Sequence, residues 1–238
     1  MAIRGILFDK DGTLLDFEPT FAPACSAVLL ELADDDAAKL SRLEEISQFR
    51  VSDGSFSQGS VLIAGSLRDI SDAWETVLNT GDADALEARV DQLFIRFTTE
   101  TATPFDGTAE ILGTLQMRGI ELGVATNDSV EAARMHLDAT ELTGFFPFVA
   151  GFDSGFGTKP EPGMIAAFVD HIGCDISEVL MVGDSDRDLQ AAKNAGVVGI
   201  GVATGMTDRR VLEQLTPYVL DGIWQLPDFL ASTEAFRK

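Results

Sequence analysis

The spacing of apolar residues changes along the chain, and the changes divide it into parts. Residues 3–8, Ile-Arg-Gly-Ile-Leu-Phe, form a short and nearly unbroken apolar run that ends at Asp9-Lys10-Asp11-Gly12-Thr13. That pattern predicts a buried strand running into a tight turn. From about residue 17 to 101 the period is helical: Phe21, Cys25, Val28, Leu29 and Leu32 recur at steps of three and four, as do Leu40, Leu43 and Ile46. Residues 70–78 and 86–97 resume the same period, and the Ser- and Gly-rich residues 52–59 between them read as a loop. Four or so helices with almost no strand signal predict a separate α-helical unit.

From residue 103 onward strands and helices alternate. Strands are expected over 121–126, 148–150, 178–183, 199–203 and 218–220, with helices near 130–137, 162–172, 188–195 and 209–215. Continuously apolar strands separated by helices of about ten residues imply crossover units and a parallel sheet covered on both faces. Ligands in such sheets sit beyond the carboxyl ends of the strands, where the winding reverses. Chemistry is therefore expected in the loops that leave those strand ends.

Composition narrows the class. Asp and Glu number 39 against 17 Lys and Arg, a formal charge of −22, so nucleic acid is not an expected partner. For a small anionic substrate that charge is repulsive at long range unless a bound cation reverses the local field. Cys25 and Cys174 are far apart with no CxxC spacing, which argues against a disulfide framework or a zinc cluster and fits a reducing cytoplasm. The chain enters its first strand without a basic segment, longer apolar stretch and cleavage site, and no run approaches the ~18 apolar residues of a membrane span. A cytoplasmic protein with no membrane partner is expected.

Four predicted strand ends carry polar side chains. Asp9 and Asp11 follow the first; Thr126, Asn127 and Asp128 the second; Gly157-Thr158-Lys159-Pro160 lies in the loop after the third; and Asp184, Ser185, Asp186 and Asp188 follow the fourth. Each group alone could be a turn or a helix cap. Together they place carboxylates, a hydroxyl, an amide and an ammonium on one edge of one sheet, a layout able to hold a metal and an oxyanion. Other motifs fail. An EF-hand reading of 184–195 meets Leu189 and Ala195 where Gly and Glu are needed, and Gly199-Ile200-Gly201 has Thr204 where a dinucleotide fingerprint has its third glycine. His136 and His171 are read as isolated residues within helices, with structural or surface roles.

These motifs resemble those of the haloacid dehalogenase superfamily, within it most closely the phosphoglycolate phosphatase-like branch. Asp9-Lys10-Asp11-Gly12-Thr13-Leu14 corresponds to its first motif, Thr126-Asn127 to the second, Lys159 before Pro160 to the third, and Gly183-Asp184 with Asp188 to the fourth. The resemblance implies a doubly wound, Rossmann-like α/β core of residues 1–16 and 102–238, helices on both faces, and an inserted helical cap domain over 17–101. It implies a Mg²⁺-dependent phosphatase acting on a small phosphorylated metabolite, phosphoglycolate being the first candidate. Asp9 would be the nucleophile and Asp11 the general acid and base. Mg²⁺ would be held by the Asp9 carboxylate, the Asp11 carbonyl and Asp184. Gly12, Thr126 and Asn127 would hold phosphoryl oxygens, Lys159 would offset the gathered charge, and Asp188 would orient Lys159 or a metal-bound water. Asp186 reads as a first-turn acid favoured by the helix dipole.

Substrate choice falls to the cap, with hinges expected near residues 16–17 and 101–103. Gln48, Arg50, Ser57, Gln58 and Arg68 are its candidate contacts. Arg50 could bind a substrate carboxylate bidentately or be a surface arginine on an amphipathic helix. The only cap lysine, Lys39, falls within a predicted helix rather than a loop, which argues against the imine-forming phosphonatase variant. A β-phosphoglucomutase-like phosphotransferase shares all four motifs and stays open as the alternative. Dehalogenation lacks a place for Asp11, and a non-catalytic metabolite sensor would be expected to have lost a nucleophile or ligand. A monomer or homodimer is expected.

Overall fold

The computed structural model describes residues 2–57, 59–233 and 236. Its elements come in chain order: β1 (Gly5–Phe8), α1 (Phe17–Ala33), α2 (Ala37–Ser47), β2 (Phe49–Arg50), β3 (Ser55–Phe56), α3 (Val61–Ala64), α4 (Leu67–Leu78) and α5 (Ala83–Thr101). Then come α6 (Thr108–Met117), β4 (Glu121–Ala125), α7 (Val130–Ala139), β5 (Phe148–Ala150), α8 (Gly163–Ile172), β6 (Val179–Gly183), α9 (Asp186–Ala195), β7 (Val198–Val202), α10 (Arg209–Leu215), β8 (Val219–Leu220) and α11 (Leu226–Ser232). They form two compact units: Met1–Phe17 with Thr103–Lys238, and Glu18–Ala102.

The first unit is an α/β fold around one six-stranded sheet in the order β5-β4-β1-β6-β7-β8, every pair parallel. β1 is central and buried at all four positions, which is why its sequence is apolar without alternation. Leu7 and Met181 pack under Phe168 of α8 and Ala191 and Ala192 of α9. Phe8, one residue on, meets Phe146 edge to face at 6.3 Å, as the two-residue side-chain period of a strand requires. The winding moves from β1 to β4 and β5 on one side, then returns to β6 on the other. The loops after β1, β4 and β6 therefore adjoin at the switch point.

The second unit has its own core, built on Val28, Leu29, Leu43, Trp74 and Val90. The Trp74 indole donates to Ser47 Oγ at 2.8 Å, which satisfies its buried N–H. It differs from expectation in one place. β2 and β3 pair antiparallel, Phe49 opposite Phe56 and Arg50 opposite Ser55, so part of the expected loop is a hairpin. Arg50 accordingly lies on a strand rather than a helix. No helix among the described residues is long and apolar enough to cross a membrane.

Candidate active site

The sheet unit brings the predicted residues together in two adjoining groups. In the first, Asp9, Asp184 and Asp188 are buried, with carboxylate oxygens within 4.8 Å of one another. Asp9 leaves β1, and Asp184 leaves β6, the strand beside it. Asp188 is presented by α9, which opens with a capping box: Ser185 Oγ accepts from Asp188 N at 3.3 Å, and Asp188 Oδ2 accepts from Ser185 N at 3.0 Å. The same carboxylate uses its other oxygen for Lys159, whose Nζ donates to Asp188 Oδ1 and to Asp9 Oδ1, both at 2.6 Å. Lys159 is only 5% exposed. Asp186 opens α9 as a first-turn acid.

Two backbone features bring the chain close to Asp184. A Cβ on Gly12, at φ +77, would lie 2.6 Å from Asp184 Oδ2, and one on Gly205 would lie 1.7 Å from it. Thr13 Oγ1 donates to Asp184 Oδ1 at 3.0 Å, and Thr204 Oγ1 donates to the Gly12 carbonyl at 2.6 Å. Gly12 itself does not offer the oxyanion donor expected of it. Its N–H donates to the Leu15 carbonyl at 2.8 Å, closing the turn.

The charge in this group is unbalanced: three carboxylates face one ammonium. Burial, the charge of Asp188 and the weaker charge of Asp11, opposed by Lys159, push Asp9 up to about 7. Burial and then the charges of Asp9 and Asp188 hold Asp184 well above the usual carboxylate range. Buried hard oxygen donors with uncompensated negative charge suit a divalent cation of the magnesium, calcium or manganese type, so the residues fit such an ion. On Lys159, burial opposes the charge, but Asp188 and Asp9 outweigh it and keep the ammonium protonated.

The second group is assembled around a lysine whose role its place in the sequence does not reveal. Lys10 is fully buried, and its Nζ donates to both Asp11 oxygens, at 2.6 and 2.5 Å. It lies 3.0 Å from Asp128 Oδ2 and 2.9 Å from His136 Nδ1. His136 is therefore not isolated. It projects from the buried face of α7, a helix capped by Ser129 Oγ on Ala132 N at 3.2 Å. Burial and the adjacent ammonium push the imidazole down to about 3, keeping it neutral. Burial raises Asp11 to about 6 although Lys10 opposes it. Asp128 is held below its usual value because Lys10 outweighs the effect of burial.

Thr126 is buried at the end of β4, and its Oγ1 accepts from Asp128 N at 3.1 Å. The Asn127 side chain has a different job from the expected one. Its Oδ1 accepts from Lys159 N at 2.8 Å and its Nδ2 donates to Lys159 O at 3.0 Å, so the amide clamps the lysine's backbone instead of facing a ligand. A lone Asn between Thr and Asp carries no signal for such a clamp 32 residues away.

The remaining candidates belong to the helical unit. Arg50 is exposed and lies 3.6 Å from Asp53. Arg68 is held by Asp72, Asp84 and Glu87 at 3.1, 2.7 and 2.8 Å, partners that make it a bridge between α4 and α5. Gln48 ends α2 in a left-handed conformation, its carbonyl accepting from Ser57 N at 2.8 Å. Gln58 lies outside the described residues.

Residues 3–196 match the family model described as haloacid dehalogenase-like hydrolase. The chain is 32% identical over 206 residues to a phosphoglycolate phosphatase of Caulobacter vibrioides, covering 87% of this chain and 81% of that protein. It is 31% identical over 232 residues to a phosphoglycolate phosphatase of Rhodospirillum rubrum, covering 95% and 90%. Among solved structures, a candidate hydrolase of the same superfamily from Bacillus subtilis, bound to magnesium, superposes with a TM-score of 0.70 at 22% identity, over 97% of this chain and 100% of that one.

Proposed function

This chain belongs to the haloacid dehalogenase-like hydrolase family, and from that premise we propose that it is a Mg²⁺-dependent phosphatase of small phosphomonoesters, phosphoglycolate first among them. The observation that carries the reading is Asp9, buried at the switch point with Lys159 on one carboxylate oxygen and two more carboxylates beside it. The names of the Caulobacter and Rhodospirillum relatives support the substrate.

In the proposed reaction a carboxylate oxygen of Asp9 bonds to phosphorus while the bond from phosphorus to the leaving oxygen breaks. Asp11 gives that oxygen its proton, and the alcohol departs. Water then attacks phosphorus, Asp11 takes the water's proton, and the bond from Asp9 to phosphorus breaks to release inorganic phosphate and restore both carboxyl groups. Thr126 and the main chain at Asn127 hold phosphoryl oxygens. Lys159, clamped by Asn127 and Asp188, favours the ionised form of Asp9 and orients it. Asp9, Asp184 and the Asp11 carbonyl are the proposed Mg²⁺ ligands, and the bound ion would offset charge on the phosphoryl oxygens. Choice of leaving group is assigned to the helical insertion, where Arg50 is the guanidinium to test against a substrate carboxylate.

The test is phosphate release across a phosphomonoester panel, with Mg²⁺ and with chelator. Mg²⁺-dependent release that Asp9→Asn abolishes, with its fold intact, supports the proposal. An absence of release from every member, or an active Asp9→Asn, refutes it. Sugar phosphate isomerisation without net release would select the phosphotransferase instead.

A further inference from the structure

We propose that Lys10 is a positioning residue for Asp11, holding its carboxyl for proton transfer to the leaving oxygen, and that Asp128 and His136 anchor Lys10 for that purpose. The inference rests on the phosphatase reading above, in which Asp11 is the acid and base.

An ammonium has three N–H donors. Here they meet three acceptor groups: both oxygens of Asp11 at 2.5 and 2.6 Å, Asp128 Oδ2 at 3.0 Å and His136 Nδ1 at 2.9 Å. For Nδ1 to accept from the lysine, the ring proton must sit on Nε2, so His136 serves as a neutral acceptor. The anchors come from two places. Asp128 belongs to the loop after β4, while His136 lies two turns further along α7. Lys10 is thus pinned from outside the turn that carries Asp11. With both of its oxygens on one pinned ammonium, the Asp11 carboxyl cannot turn freely about its last bond.

Two other readings account for less. Asp11, Asp128 and His136 could in principle hold a metal. The ammonium, however, lies within 3.0 Å of an atom of each, so the place of a cation among them is already taken. Lys10 could instead be a structural plug. But a buried ion-pair network adds little net stability over apolar residues of similar volume, and a methionine would fill this position at lower desolvation cost. A purely structural role also gives no reason for the ammonium to grip the reacting carboxyl with its shortest contacts.

The test uses the full chain with Mg²⁺ and compares kcat/KM for two leaving groups. An alkyl phosphomonoester needs its leaving oxygen protonated; p-nitrophenyl phosphate expels a stable anion and does not. General acid catalysis is worth roughly 10²–10⁴-fold, so misplacing the acid in Lys10→Met should cost the alkyl substrate on the order of tenfold or more beyond the loss on the aryl one. Equal losses on both substrates overturn the inference. Should Lys10→Met fail to fold by circular dichroism, Asp128→Asn decides: it keeps the lysine but loosens its anchor, and the same selective loss is expected, with equal losses or none overturning the inference. A wild type inactive on both substrates would refute the phosphatase reading itself, which separates the two failures.

Discussion

Replacing Lys159 by methionine keeps the volume of the side chain and removes the ammonium that reaches Asp9 and Asp188, each at 2.6 Å. Breaking a buried ion pair by removing one partner costs about 3–5 kcal/mol. Asp9 stands at about 7 even with Lys159 beside it, so at pH 7 part of its protonation cost is already present in the wild type and adds little to the difference between the two proteins. Urea unfolding of the sheet unit in EDTA, wild type against Lys159→Met at pH 7, reads this directly. A loss of about 3–5 kcal/mol is expected. A penalty below about 1 kcal/mol would show that the carboxylates do not depend on Lys159.

Other consequences are as specific. Gly205→Ala would put a Cβ 1.7 Å from Asp184 Oδ2, so Mg²⁺-dependent turnover should fall at least tenfold while the helical unit is unaffected; wild-type activity would mean that Asp184 can move without consequence. Cys25 is buried, which pushes its thiol up to about 12, whereas Cys174 is partly exposed. A thiol reagent at pH 8 should therefore modify Cys174 in the native protein and both cysteines only after unfolding, and rapid native labelling of Cys25 would contradict its burial. His136 titrates near 3 in the fold and near 6.5 unfolded. Between those values the unfolded chain binds more protons, so its contribution is present above pH 6.5 and lost toward pH 3. His136→Gln should flatten the acid side of the stability profile relative to wild type; an unchanged slope would place the imidazole elsewhere.

Much of the fold is legible from residue spacing. The strand at 148–150 and the helix at 209–215 stand where the pattern puts them, and the other sheet strands differ by one or two residues at their ends. Strand ends are legible because the parallel sheet forces continuous burial, and burial forces apolar runs. The β2–β3 hairpin escapes because two strands of two residues are too short to show any period. α11 escapes because Pro227 sits in its first turn and it spans only seven residues. The carboxylates and Lys159 are visible as charges at strand ends. Lys10 is hidden by its neighbours: between Asp9 and Asp11 it reads as one more turn residue, and its anchors are 118 and 126 positions away. Thr204, which closes on the Gly12 turn, and Gly205, which closes on Asp184, are likewise masked by distance.

The central claim is that Asp9 carries the phosphoryl group and that Asp11 manages the protons. It is tested most directly by quenching Asp11→Asn with acid during reaction with p-nitrophenyl phosphate and mapping the adduct by mass spectrometry. Asp9 is expected to be phosphorylated in a burst stoichiometric with enzyme, because the variant can form the acyl phosphate but lacks the base that hydrolyses it. A burst with the phosphoryl group on any other residue, or steady turnover with none on the protein, would contradict the account.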